Sequence, residues 1–96
     1  MRFLVTLMQK PMMSFYAEAI ITPRAGVLDT QGKAVEKTLG RLGYENAGNV
    51  RVGRIVTMTV KANEKSEAAE YVKSMCGDLL ANDLIETYTV TVREAE

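Results

Sequence analysis

The side chains of this 96-residue chain that could do chemistry are one thiol, Cys76, twelve carboxylates and twelve Lys or Arg, with no histidine at all. A nucleophilic thiol needs a base or cation to lower its pKa, and a structural zinc site needs several Cys or His at short spacing. Without histidine and with a single cysteine, neither the Cys/His pair nor the thiolate cage can be assembled, and an internal disulfide is excluded. Cys76 falls on one helical stripe with Val72, Met75, Leu79 and Leu80, which reads as a buried structural thiol. The glycines at 26, 32, 40, 43, 48 and 53 match neither GxGxxG nor GxxxxGK followed by Ser or Thr, so no phosphate cradle is expected. A sheet that binds RNA would carry stacking aromatics on its central strands, and Ile55 to Lys61 has none. These absences predict a chain with no catalytic residues, metal or cofactor of its own.

The balance of twelve basic against twelve acidic residues argues against binding nucleic acid by phosphate neutralisation. The charge is unevenly spread. Residues 1–60 hold eight Lys/Arg and four Asp/Glu, a net of +4, while residues 61–96 hold four and eight, a net of −4. Phe3 to Met8 is too short an uncharged run for a secretory signal or a membrane span. A soluble cytoplasmic protein without nucleic-acid or membrane partners is expected, and one free cysteine suits a reducing compartment.

Positioning elements follow from periodicity. FYAEAIIT at 15–22 alternates as a strand, with Phe15, Ala17, Ala19 and Ile21 on one face. Asp29 is a suitable N-cap for a helix to about Leu42, where Val35, Leu39 and Leu42 share one face and Lys33, Lys37 and Arg41 form a basic ridge on the other. A short strand is predicted at Val50 to Val52, then a turn at Gly53, then a strand from Ile55 to Lys61. A second helix is expected from Glu64 to Leu80, with Ala68, Val72, Met75, Cys76, Leu79 and Leu80 on its stripe. A final strand covers Thr87 to Arg93. The order predicts an α+β fold of the ferredoxin-like βαββαβ type, an antiparallel sheet with two helices on one face. The other face, with Ile20, Ile55 and several threonines, lacks a cover, so a dimer or higher oligomer is expected. Residues 15–96 form the single domain. Residues 1–14, with internal starts at Met12 and Met13, are read as an N-terminal extension, either disordered or not native.

Three segments, GVLDTQGKAVEKTLGRLGY at 26–44, VRVGRIVTMTV at 50–60 and MCGDLLANDLIETYTV at 75–90, resemble the PurS family in order and spacing. That family is the small subunit of bacterial phosphoribosylformylglycinamidine (FGAM) synthase. The resemblance runs from about Tyr16 to the C-terminus; Thr30 stands where the family usually has proline. It implies a non-catalytic subunit of a carbon–nitrogen ligase of purine biosynthesis that uses glutamine as amide donor. A glutaminase subunit releases ammonia, a large synthetase subunit carrying ATP and Mg2+ makes the amidine, and the small subunit bridges them as a dimer. Arg24, Asp29, Gln31 and Gly32 around the first helix start, and Arg51, Gly53 and Arg54 beside the predicted hairpin, are the positions it implies at partner contacts. Local structure already explains Asp29 as a cap, Gly32 as first-turn backbone and Gly53 as a turn; the arginines and Gln31 exceed those needs. Two other classes use the same element order: an ACT-like dimeric domain binding small effectors, and an acylphosphatase-like hydrolase, for which no phosphate loop is found.

Overall fold

The structure, a computed structural model, describes residues 12–95; the expectations placed on residues 1–11 lie outside them. Alternation builds the central strand, β1 (Met13–Pro23), whose Phe15, Ala17, Ala19 and Ile21 are buried. The strand begins two residues before the predicted domain boundary, because Met13 and Ser14 pair with Ala62 and Lys61. After β1 come helix α1 (Thr30–Arg41), strand β2 (Arg54–Ala62), helix α2 (Lys65–Met75) and strand β3 (Glu86–Glu94). β1 lies between β2 and β3, antiparallel to both, with Ile20 opposite Ile55 on one side and Thr89 on the other. The predicted α+β class, antiparallel sheet and helix order therefore hold.

The segment 50–52, predicted as a short strand, joins no ladder among the described residues. Its amide donors are taken elsewhere: Val50 N–H donates to Glu36 Oε1 (3.1 Å) and Val52 N–H to Asp29 Oδ2 (2.8 Å). A strand must offer those groups to a neighbour, and here two carboxylates hold them.

The core lies between the sheet and α2. Phe15, Ala17, Ala19, Val60 and Ala62 from the strands meet Ala68, Val72 and Cys76 from the helix. Alanines on the central strand let the helix approach closely. α2 leans most on β3 and less on β1 and β2. α1 makes no comparable contact with any strand, and Gly32 is its one buried residue. Its apolar stripe is open, with Val35 40% and Leu42 69% exposed.

The second helix does not run regularly to Leu80. Cys76–Leu80 forms a π-helical turn, closed by Ala81 N–H donating to the Cys76 carbonyl (3.0 Å). An i→i+5 turn accommodates one extra residue and rotates the side chains after it about the helix axis. Leu80 therefore reaches the core while Leu79, placed on the stripe by simple helical spacing, is 82% exposed. Among the described residues no helix is long and apolar enough to cross a membrane.

Phe15→Ala is expected to lower the unfolding free energy by about 3–5 kcal/mol, as for buried aromatics generally. Leu79→Ala is expected to stay within about 0.5 kcal/mol. Urea unfolding of the two variants checks this, and equal losses would contradict the register given to the π-helical turn.

Candidate assembly interface

Six of the seven residues singled out in the sequence meet in one hydrogen-bonded junction at the end of the sheet where β1 stops and β2 begins; Gln31 lies at its rim. Asp29 is the hub. Its Oδ1 accepts from Gly32 N–H (2.8 Å), capping α1, and its Oδ2 accepts from Val52 N–H (2.8 Å), tying the helix start to the segment before β2. These two backbone donors, helped by the nearby Arg51 charge, hold the Asp29 carboxyl below its ordinary pKa. The helix starts at Thr30 without the family's usual proline.

Gly32 and Gly53 are required by close approach. A Cβ on Gly32 would collide with the Val50 carbonyl oxygen and the Asp29 carboxylate; one on Gly53 would collide with the Ile21 carbonyl oxygen. Gly53 is thus not the hairpin turn predicted for it, since segment 50–52 forms no strand to turn from. It lets the chain pass against β1 just before pairing starts at Arg54.

The arginines staple loops together. Arg51 donates through Nη2 to the carbonyls of Pro23 and Arg24, the latter at 2.9 Å. Arg24 donates from Nε to the Asp83 carbonyl (2.8 Å) and from its backbone N–H to the Ile85 carbonyl (2.8 Å). Arg54 reaches across the end of β1 to Glu86, with Nη1 to Oε2 at 2.6 Å and Nη2 to Oε1 at 3.1 Å, and also donates to the Leu80 carbonyl (2.5 Å). Asn82 N–H donates to Glu86 Oε1 (2.8 Å). The Arg54 hydrogen bond, then the Asn82 amide, lowers the Glu86 pKa, and the same ion pair raises that of Arg54. Half of the Arg54 side chain is exposed, so the pair contributes geometry more than energy.

Gln31 is exposed on the first turn of α1 and lines an open cleft of about 370 Å³ with Asp29, Val52, Gly53, Arg54 and Glu86. Glu86, Asp83 and Glu36 belong to this junction and were not foreseen. Glu36 and Glu86 are acidic partners for backbone or arginine donors, but only the β2–β1–β3 order brings Glu86 to Arg54. Cys76 is fully buried, and that burial raises its thiol pKa, which keeps it protonated and unreactive. Among the described residues no group of three His, Cys, Asp or Glu could hold a metal ion.

Large apolar side chains stand open to solvent: Leu28 before α1, Leu42 and Tyr44 after it, and Leu79, Leu84 and Ile85 before β3. A polar cleft stapled by arginines, with exposed Leu28 and Ile85 in its lining, belongs to a small α+β domain and has the character of surfaces used in protein contact. The chain belongs to the PurS family of phosphoribosylformylglycinamidine (FGAM) synthase, whose model matches residues 16–94. It is 35% identical over 83 residues to the phosphoribosylformylglycinamidine synthase subunit PurS of Synechocystis sp., covering 86% of this chain and 83% of that one. The solved structure of Thermus thermophilus PurS is similar with a TM-score of 0.75 and 37% identity, covering 86% of this chain and 99% of that one. A chain of the Thermotoga maritima PurLQS structure is similar at a TM-score of 0.73 and 30% identity, covering 82% of this chain and 98% of that one. This match disfavours the ACT-like reading.

Gly53→Ala is expected to cost about 1–3 kcal/mol, because a backbone carbonyl must move to admit the methyl group. Gly40→Ala in α1, with open space around it, is expected to stabilise by up to about 1 kcal/mol through helix propensity alone. Thermal unfolding of both checks the pair, and a neutral Gly53 variant would refute the close approach.

The Asp29 carboxylate has a depressed folded-state pKa, so its stabilising contribution is present above the ordinary value of 3.8 and is lost as pH falls through the folded value. Asp29→Ala is therefore expected to be less stable than the parent near neutral pH, with the difference shrinking as pH drops below 3.8. Denaturant titrations at several pH values measure this; a pH-independent difference would remove the carboxylate from the hub.

Proposed function

We infer that this chain acts as the non-catalytic small subunit of FGAM synthase in purine biosynthesis. The observation that carries the reading is the PurS match over residues 16–94, joined by the likeness to a chain of a PurLQS structure. In this reading the chain forms a homodimer or higher oligomer that bridges a glutaminase subunit and a large synthetase subunit. ATP and Mg2+ are bound by the synthetase, and the chain itself carries no cofactor. It works in the cytoplasm, where its thiol stays reduced.

The chemistry gives such a bridge its purpose. Ammonia released into water near neutral pH is mostly protonated, and ammonium has no lone pair with which to attack. An enclosed contact between two subunits excludes water and delivers the free base. A chain with basic and acidic segments of +4 and −4, and with apolar residues exposed on two loops and a helix, has the surface to meet two different partners. Arg24, Gln31, Arg51 and Arg54 line the rim in this reading, with Asp29, Gly32 and Gly53 holding that rim in shape.

The matching synthetase and glutaminase subunits, assayed for amidine formation with and without this chain, test the proposal. Activity with glutamine is expected to require the chain, while activity with free ammonia is expected to be much less dependent on it. Full activity with glutamine in its absence would overturn the bridging role.

A further inference from the structure

The connection between α2 and β3 presents two leucines almost wholly to water. Leu79 and Leu84, at 82% and 85% exposed, are the most open of the large apolar side chains among the described residues, and Ile85 beside them is half-exposed. Leucines on a loose loop would mean little, because ordering them in a contact costs conformational entropy. This connection is not loose. Ala81 N–H closes the π-helical turn on the Cys76 carbonyl, and Arg54 holds the Leu80 carbonyl. Asn82 ties the next turn from within: its Oδ1 accepts from Leu84 N–H (3.0 Å), and its carbonyl accepts from the N–H groups of Ile85 (3.0 Å) and Glu86 (2.7 Å). Arg24 clamps the far side at the Asp83 and Ile85 carbonyls. The leucine side chains take part in none of these bonds. Their positions are set before any partner arrives, which removes much of the ordering cost of binding.

Charge says what kind of partner fits. Residues 76–86 contain Asp78, Asp83 and Glu86 and no Lys or Arg. Glu86 is spent on Arg54, while among the described residues neither Asp78 nor Asp83 forms an ion pair. Arg24 holds the Asp83 carbonyl, not its carboxylate. Each of these two carboxylates directly precedes one of the open leucines in sequence.

We propose that 78–85 is an apolar knob with an acidic border that inserts into an apolar groove edged by Lys or Arg on another subunit of the synthase, rather than on a second copy of this chain. The inference rests on the bridging reading given above and names one of its contacts. The chain's own described clefts do not match the knob. The one beside Gln31 is lined by the Asp29 and Glu86 carboxylates, and the next sets Asp29 and Glu36 against Lys33 and Arg51. The apolar groove on α1 at Val35 and Leu39 has no charged residue in its lining, since Lys33, Lys37 and Arg41 stand on the opposite face of that helix. Opposite charge around an apolar contact speeds encounter and rejects wrong partners, so the complementary surface belongs to a different chain.

Leu79→Ser combined with Leu84→Ser tests the knob. Both residues are exposed, so this variant is expected to keep the parent's urea midpoint and its mass by light scattering. With synthetase and glutaminase subunits held fixed, the chain concentration giving half-maximal glutamine-dependent amidine formation is expected to rise by about tenfold or more, as for central apolar contacts generally. Asp78→Lys combined with Asp83→Lys is expected to raise it too, by an amount that shrinks as salt is added. A benzophenone amino acid at position 84 of the parent chain is expected to crosslink to the synthetase or the glutaminase. An unchanged half-maximal concentration in the leucine variant, or a crosslink from position 84 to a second copy of this chain, overturns the knob and leaves the bridging reading standing. A charge-reversed variant that matches the parent at low salt overturns the basic edge of the groove. Full glutamine-dependent activity without the chain overturns the bridging reading and the knob together.

Discussion

One carboxylate organises this chain. Asp29 accepts one backbone donor from Gly32 in the first turn of α1 and another from Val52, well past the helix's end. A side chain that satisfies two amides at once fixes both the direction in which the helix leaves β1 and the place where the chain returns. Gly32 is needed because that return brings the Val50 carbonyl too close for a Cβ. Segment 50–52 then gives its Val50 and Val52 amides to Glu36 and Asp29 and joins no strand, and the described residues form a three-stranded sheet.

The same end of the molecule is closed by the arginines. Arg51 and Arg24 bind backbone carbonyls of adjacent loops, and Arg54 spans β1 to reach Glu86 and the end of the π-helical turn. Guanidinium groups suit this because several donors in one plane can serve carbonyls and a carboxylate together. The residues proposed for partner contact are therefore also the ones that hold this end of the fold together. The arginines shape a rim that is largely open to water, while the hydrophobic core sits away from it between Phe15, Val72 and Cys76.

Two periodicities in the chain carried most of the fold. Alternation over 15–22 and 55–61 marked the central strand and β2, and the apolar stripe at Ala68, Val72 and Cys76 marked the helix that covers them. Burial against a neighbour on one face leaves that signature wherever the element is regular. The signature misled where regularity stopped: the i→i+5 turn after Met75 moved Leu79 outward, and nothing in the spacing of CGDLL announces an inserted residue. At the junction, residue type and local position marked Asp29 as a cap, and the family resemblance marked the arginines. Glu86, Asp83 and Glu36 escaped notice because an acidic side chain or loop carbonyl becomes a partner only when the sheet order brings it within reach.

By itself, the sequence determined the chemistry that is out of reach, the family to which the chain belongs and the elements that bury one face. Each of these comes from residue identity or from spacing along the chain, which is local information. Tertiary structure decided that Gly53 serves close approach rather than a turn, that Arg54 pairs with Glu86 across a central strand, and that α1 stands off its own sheet. Those outcomes depend on distances between segments far apart in sequence. The strand order brings Arg54 to Glu86, the carboxylates of Asp29 and Glu36 tie α1 to segment 50–52, and no pattern within one segment encodes either.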